Sequence, residues 1–222
     1  MTSDQWPAQL AKGIAGQVRR YRLERGMSAQ QLSDACAEVG LPIARSVLAN
    51  FESGRRPTIS VAEVFALARA LRVPPALLLF PVGGDAIEFL PGHRAGPWRA
   101  FRWFNGETRV PIDNFVPVGD LDEDGIPEFY EDPELGWETG ALPITLFRQH
   151  DRQGLEWFEI PNDIRRLGLS DETANAELVR RRAQVEKALS DTRKMIRQLG
   201  LNPPKLADEL AHLDEPAPGG QE

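Results

Sequence analysis

The chain has 222 residues, 41% of them hydrophobic and 27% charged, with a formal net charge of −7; that suits one large or two small domains with ordinary cores. No run approaches the roughly 18 apolar residues of a membrane span, Met1–Leu10 lacks the basic-then-apolar order of a secretory signal, and the single cysteine, Cys36, excludes an internal disulfide framework or a multi-thiolate metal site. Charge is unevenly spread, with a net +4 over residues 1–80, −9 over residues 81–140 and −2 over residues 141–222, so partners have to be argued segment by segment.

The first 80 residues have a helical pattern. Ile14, Val18 and Tyr21 recur at i, i+4 and i+7, an apolar stripe on a helix that Gly26 ends. Ser28 is placed to N-cap a second helix, with Leu32, Ala35, Cys36 and Val39 inward and Gly40 as its stop. Cys36 on that apolar face reads as a small core residue rather than a reactive thiol. Pro42 fits the entry to a third helix, Ala44–Glu52, which turns Leu48 and Phe51 one way and Arg45, Ser46, Ala49 and Asn50 the other. Ser60 caps a fourth helix with Val64, Leu67, Ala68 and Leu71 inward, and Pro74 and Pro75 open a short fifth, Ala76–Phe80. A compact all-α domain over residues 1–82 is the expectation.

Residues 83–140 are acidic and dense in Pro and Gly. The runs Trp98–Phe104 and Glu107–Ile112 flank Asn105-Gly106, a two-residue turn signal, and predict a β-hairpin with Trp98, Trp103 and Phe104 on one face and Ile87–Leu90 as a third strand. Asp120, Asp122, Asp124 and Glu131, with Gly125 between them, fit the string of a calcium loop. No helix pattern precedes Asp120, however, and Pro127 and Pro133 stand where such a loop needs an aliphatic residue and a helix. The segment therefore reads as an acidic solvated loop, with no metal. His93, His150 and His212 are too scattered for zinc, and there is neither a Gly-rich phosphate loop nor a nucleophile–base pair. Neither an enzyme nor a cofactor is expected.

Helical patterning returns over residues 141–213. Leu142, Leu146, Gln149, His150 and Trp157 suggest a helix weakened by Gly154. A longer one runs from Asp171 to Leu199, with Ser170 as N-cap, Gly200 as C′ and Pro203-Pro204 beyond. Asp171 and Glu172 begin it while Arg193, Lys194 and Arg197 end it, as the helix dipole favours. Leu178, Val185, Thr192 and Leu199, alternating with Asn175, Arg182, Leu189 and Ile196, make a heptad seam. That seam can pack on helix 142–160 within the chain or pair with a second copy. Residues 214–222 have the composition of a disordered tail.

Three blocks in order, Arg19–Leu32, Leu48–Pro57 and Leu67–Val73, make the head similar to the XRE-family (Cro/CI-type) helix-turn-helix domain, a resemblance that covers residues 10–80. It implies a five-helix lambda-repressor-like fold in which Ala44–Glu52 is the recognition helix. It also implies base contacts from Arg45, Ser46 and Asn50, since arginine suits guanine O6/N7 and asparagine suits adenine N6/N7. Phosphate contacts would come from Arg55 and Arg56, with Ser28 and Gln30 substituting for the glutamine that the family has where this chain has Ala29. Arg22 and Glu52 match the family's structural ion pair. The turn around Ala37–Ile43 is about five residues longer than the family's, which predicts an extended second helix.

The expected architecture is therefore mainly α: this head, the acidic segment 83–140 with its hairpin, and the helical region 141–213 with one long helix. The expected function is a sequence-specific regulator of transcription, cytoplasmic and nucleoid-associated, acting by repression as a homodimer on a palindromic operator in double-stranded DNA, without membrane attachment. The alternative is a protein-interaction module, such as an antitoxin or phage-element accessory protein, which keeps the helix-turn-helix as a scaffold and binds a protein partner through the C-terminal helices.

Overall fold

A computed structural model describes residues 5–109, 116–121, 127–131, 136–167 and 172–214, with side chains at 5–109, 136–160 and 176–214. It divides into two compact units, Met1–Val110 and Pro111–Glu222. The chain is mainly helical.

In the first unit the five expected helices are α1 (Trp6–Glu24), α2 (Ala29–Glu38), α3 (Arg45–Glu52), α4 (Val61–Ala70) and α5 (Pro75–Leu79). Each sends its apolar stripe into one core that includes Ile14, Val18, Leu32, Cys36, Leu48, Phe51, Leu67, Leu71 and Leu78. α2 and α4 start on capping boxes, Ser28 with Gln31 and Ser60 with Glu63, which satisfy helix N–H groups that otherwise lack partners. α2 ends at Glu38, and residues 39–44 carry the chain into α3. Gly40 (φ 91°) supplies the reversal. Ser33 Oγ donates to the Ile43 carbonyl at 2.6 Å, tying the long turn back to α2.

The unit reaches past the boundary at residue 82 that composition suggests. Strands β1 (Ile87–Leu90) and β2 (His93–Ala95) form an antiparallel hairpin, and the Trp6 indole N–H donates to the Glu88 carbonyl at 3.1 Å. The hairpin expected at Asn105-Gly106 is not formed: Pro97–Phe104 is a helix, α6. Pro97 occupies the first helical position, where its missing N–H costs nothing. Asn105 is the C-cap, and Gly106 (φ 73°) closes a Schellman motif, its N–H on Trp103 O at 2.9 Å and that of Glu107 on Arg102 O at 2.8 Å. A left-handed glycine serves a hairpin turn and a helix terminator equally well, and burial decides between them. Pro97 and Ala100 are buried three residues apart, Phe101 and Phe104 meet Phe80, and Trp103 meets Phe89. Side chains spaced in that way need a helix, not a strand.

In the second unit β3 (Val116–Leu121) pairs antiparallel with β4 (Pro127–Glu131), and α7 (Trp137–Leu167) packs on α8 (Glu172–Gln198). Asp122 and Asp124 lie outside the described residues, as do the side chains of Asp120 and Glu131, the tail 215–222 and Ser170. α7 and α8 run antiparallel: the Trp157 indole donates to Glu186 at 2.8 Å, and Arg193 pairs with His150. After Gly200 the chain folds back, and a 3-10 helix, Asp208–Asp214, brings Leu206 and Leu210 onto Trp157, Ile160, Val185 and Leu189. The middle of the heptad seam packs inside the chain, with Val185, Leu189, Thr192 and Ile196 buried, while Leu199 at its end is exposed.

Arg193 is not the surface cation that the end of a helix suggests. It is 2% exposed and donates to His150 Nε2 and Pro204 O, each at 2.7 Å, and to the Asp214 carboxylate, which also takes Arg197 at 2.6 Å. Burial, and then the Arg193 charge, push the His150 imidazole below its ordinary range.

Burial pushes the Cys36 thiol up to about 11. At pH 8 it is therefore protonated as well as sealed in the core, and the native protein should leave it unreactive toward a thiol-specific chromogen. One equivalent should titrate in denaturant; rapid reaction in the native state would contradict this packing.

Candidate nucleic-acid interface

α3 has eight residues, too few to be stable alone, so its neighbours must hold it. Leu48 and Phe51, 1% and 2% exposed, anchor it in the core, while Arg45, Ser46, Ala49 and Asn50 are exposed. At about 100° per residue these four share one arc of the helix surface. The side chains of Arg45, Ser46 and Asn50 have no partner among the described residues, so their donors and acceptors face solvent.

The helix is oriented by an ion pair from another element. Arg22, on the last turn of α1, donates Nε to Glu52 Oε1 at 2.7 Å and Nη2 to Glu52 Oε2 at 2.6 Å, with its Nη1 on the Met27 carbonyl at 2.7 Å. These side chains are 12% and 8% exposed. The hydrogen bonds to Glu52 push the Arg22 guanidinium above its already high range. One side chain thus joins α1, the turn into α2 and the last residue of α3.

The two arginines after α3 are in different states. Arg55 is exposed and without a side-chain partner among the described residues. Arg56 is half-buried and bidentate on Glu63, at 2.6 and 2.9 Å. Glu63 Oε2 also accepts the Ser60 N–H and hydroxyl, at 2.9 and 3.0 Å. Hydrogen bonds from Arg56 hold the Glu63 carboxyl below its usual range, against the opposing effect of burial.

At the start of α2, Ser28 Oγ accepts the Gln31 N–H at 3.2 Å, and Gln30 Nε2 donates to Asp34 at 2.7 Å. Both residues are exposed. The Ser28 hydroxyl proton stays available, whereas Gln30 must exchange a partner to reach a phosphate. Reading the helices one at a time misses the Arg56–Glu63 pair. Its signal is the Ser60-x-x-Glu63 spacing of a capping box, with a basic residue just upstream.

Among the described residues no helix is long and apolar enough to cross a membrane. Residues 14–79, from the apolar stripe of α1 to the end of α5, match a family model described as a helix-turn-helix domain. Neither the curated proteins nor the solved structures offered a match. The head of this chain therefore carries a helix-turn-helix domain, a fold that presents a helix for binding DNA.

Two stability predictions follow from the ion pairs. Glu52→Ala leaves a largely buried guanidinium unpaired and should destabilise the head by about 3 kcal/mol in urea unfolding; a loss below about 1 kcal/mol would show that the pair does not hold α3. Because the folded carboxyl of Glu63 is the more acidic one, its contribution is present above about pH 4.3 and lost as pH falls through the lowered value. The advantage of the wild type over Glu63→Gln in thermal unfolding should therefore shrink on acidification, and a constant difference would contradict this.

Proposed function

We propose that the protein is a sequence-specific regulator of transcription of the XRE (Cro/CI) type, binding double-stranded DNA as a homodimer on a palindromic operator and repressing by occupancy. One observation carries the reading: a short helix, clamped at its far end by Arg22–Glu52, turns four exposed residues outward, and three of them carry polar side chains without partners among the described residues. In this reading α3 lies in the major groove. Arg45 reads guanine O6/N7 and Asn50 adenine N6/N7, with Ser46 beside them. Arg55, Ser28 and Gln30 contact phosphates, which sets the position of the helix without carrying sequence information. Two heads related by a two-fold axis would read half-sites about one helical turn apart.

The net charge supports the assignment of the DNA face to the head, since residues 1–80 carry +4 on a chain of −7. In this reading the second copy is not placed on the middle of the α8 seam, since Val185, Leu189, Thr192 and Ile196 are buried within the chain.

Selection from random duplex DNA at a stated salt concentration tests the reading. The full chain should enrich a palindrome, and Arg45→Ala/Asn50→Ala should lose on the order of tenfold or more in preference for it while keeping the wild-type unfolding curve. An unenriched pool, or a double variant with unchanged preference, would refute it.

A further inference from the structure

The loop between α3 and α4 separates two adjacent cations by their surroundings. The backbone N–H groups of Arg55 and Arg56 both donate to the Asn50 carbonyl, at 2.9 and 3.1 Å, which fixes the loop against the residue assigned to read adenine. Arg56 then turns away to Glu63, whose carboxylate serves its guanidinium and the Ser60 cap together. Withdrawing Arg56 toward a phosphate would break two charge-assisted hydrogen bonds and leave the Glu63 carboxylate facing a polyanion. Left in place, the pair adds no net charge to the interface. Arg55 has no such competitor among the described residues.

We infer that Arg56 is a positioning residue rather than a phosphate ligand. With Glu63 it forms a neutral clamp that holds loop 53–59 between α3 and α4, so that Arg55 meets a phosphate in register with Asn50 meeting a base. The inference rests on the proposed DNA-binding reading and assigns to one residue a role that the sequence divides between two.

Salt dependence separates the two roles, because each phosphate neutralised on duplex DNA adds about 0.9 to the slope of log affinity against log salt. The full-length protein, on the duplex selected above, would be titrated between about 50 and 200 mM salt. Arg55→Gln should flatten the slope by about 0.9. Arg56→Gln/Glu63→Gln removes both charges while keeping hydrogen-bonding groups, and should retain the wild-type slope. A double variant that flattens the slope as much as Arg55→Gln would overturn the inference and leave the DNA-binding reading intact. An unchanged slope in Arg55→Gln would remove the phosphate contact and the inference with it.

Truncation tests the positioning itself. Arg56→Ala/Glu63→Ala should weaken binding several-fold, and adding Arg55→Gln should cost nothing further, since the clamp acts through Arg55; additive losses would overturn it. A readout free of mutation is the side-chain Nε resonance of each arginine in the labelled wild-type protein. That of Arg55 should move on adding the duplex and that of Arg56 should stay, and the opposite pattern would refute the assignment.

Discussion

The structure of the head depends on one guanidinium. Leu48 and Phe51 set how deeply α3 sits in the core, but apolar contacts are not directional and leave a two-turn helix free to roll and tilt. Arg22 removes that freedom. Its planar fork binds both oxygens of the last residue of α3, and its remaining nitrogen binds the Met27 carbonyl, in the turn that precedes α2. The angle at which Arg45, Ser46 and Asn50 leave the surface is therefore set at the last residue of α3, seven positions after Arg45. A pair this buried brings little net stability over an apolar substitute; its value lies in direction.

The same economy governs the other charges. Cations on the outward arc and at Arg55 lack side-chain partners among the described residues, whereas the arginines that shape the fold are neutralised by carboxylates: Arg22 by Glu52, Arg56 by Glu63 and, in the second unit, Arg193 by Asp214. Arg193 acts there as Arg22 does in the head. It ties the returning chain at Pro204 and Asp214 to α8 and to His150 of α7, and so holds Leu206 and Leu210 over the helical hairpin. Charge by itself does not tell which arginines shape the fold; the carboxylate packed against each of them does.

The helices of the head were legible because each level of the sequence agreed: stripes at i, i+4 and i+7, glycines at the stops, and Ser28 and Ser60 at the starts. α3 was legible as a helix because the residues on its two faces differ so sharply. Asn105-Gly106 misled because a left-handed glycine closes α6 as readily as it would turn a hairpin, and the contacts that decide come from Phe80 and Phe89, distant in sequence. The heptad seam was visible, but what covers its middle was not: α7 and the segment after Gly200 pack on Val185 and Leu189 from the same chain. The partners of Arg56 and Arg193 were not legible, for a shared reason. A basic residue looks the same in sequence whether its carboxylate partner is present or absent, and the partner is chosen by the fold.

The central claim is that the outward arc of α3 enters the major groove, and methylation interference tests it most directly. Dimethyl sulfate marks guanine N7 in the major groove and adenine N3 in the minor groove. On the selected duplex, methylated N7 positions in each half-site should exclude the wild-type protein, and interference at one of those guanines should vanish in Arg45→Ala. Interference confined to adenine N3, or an N7 pattern unchanged by Arg45→Ala, would contradict the account.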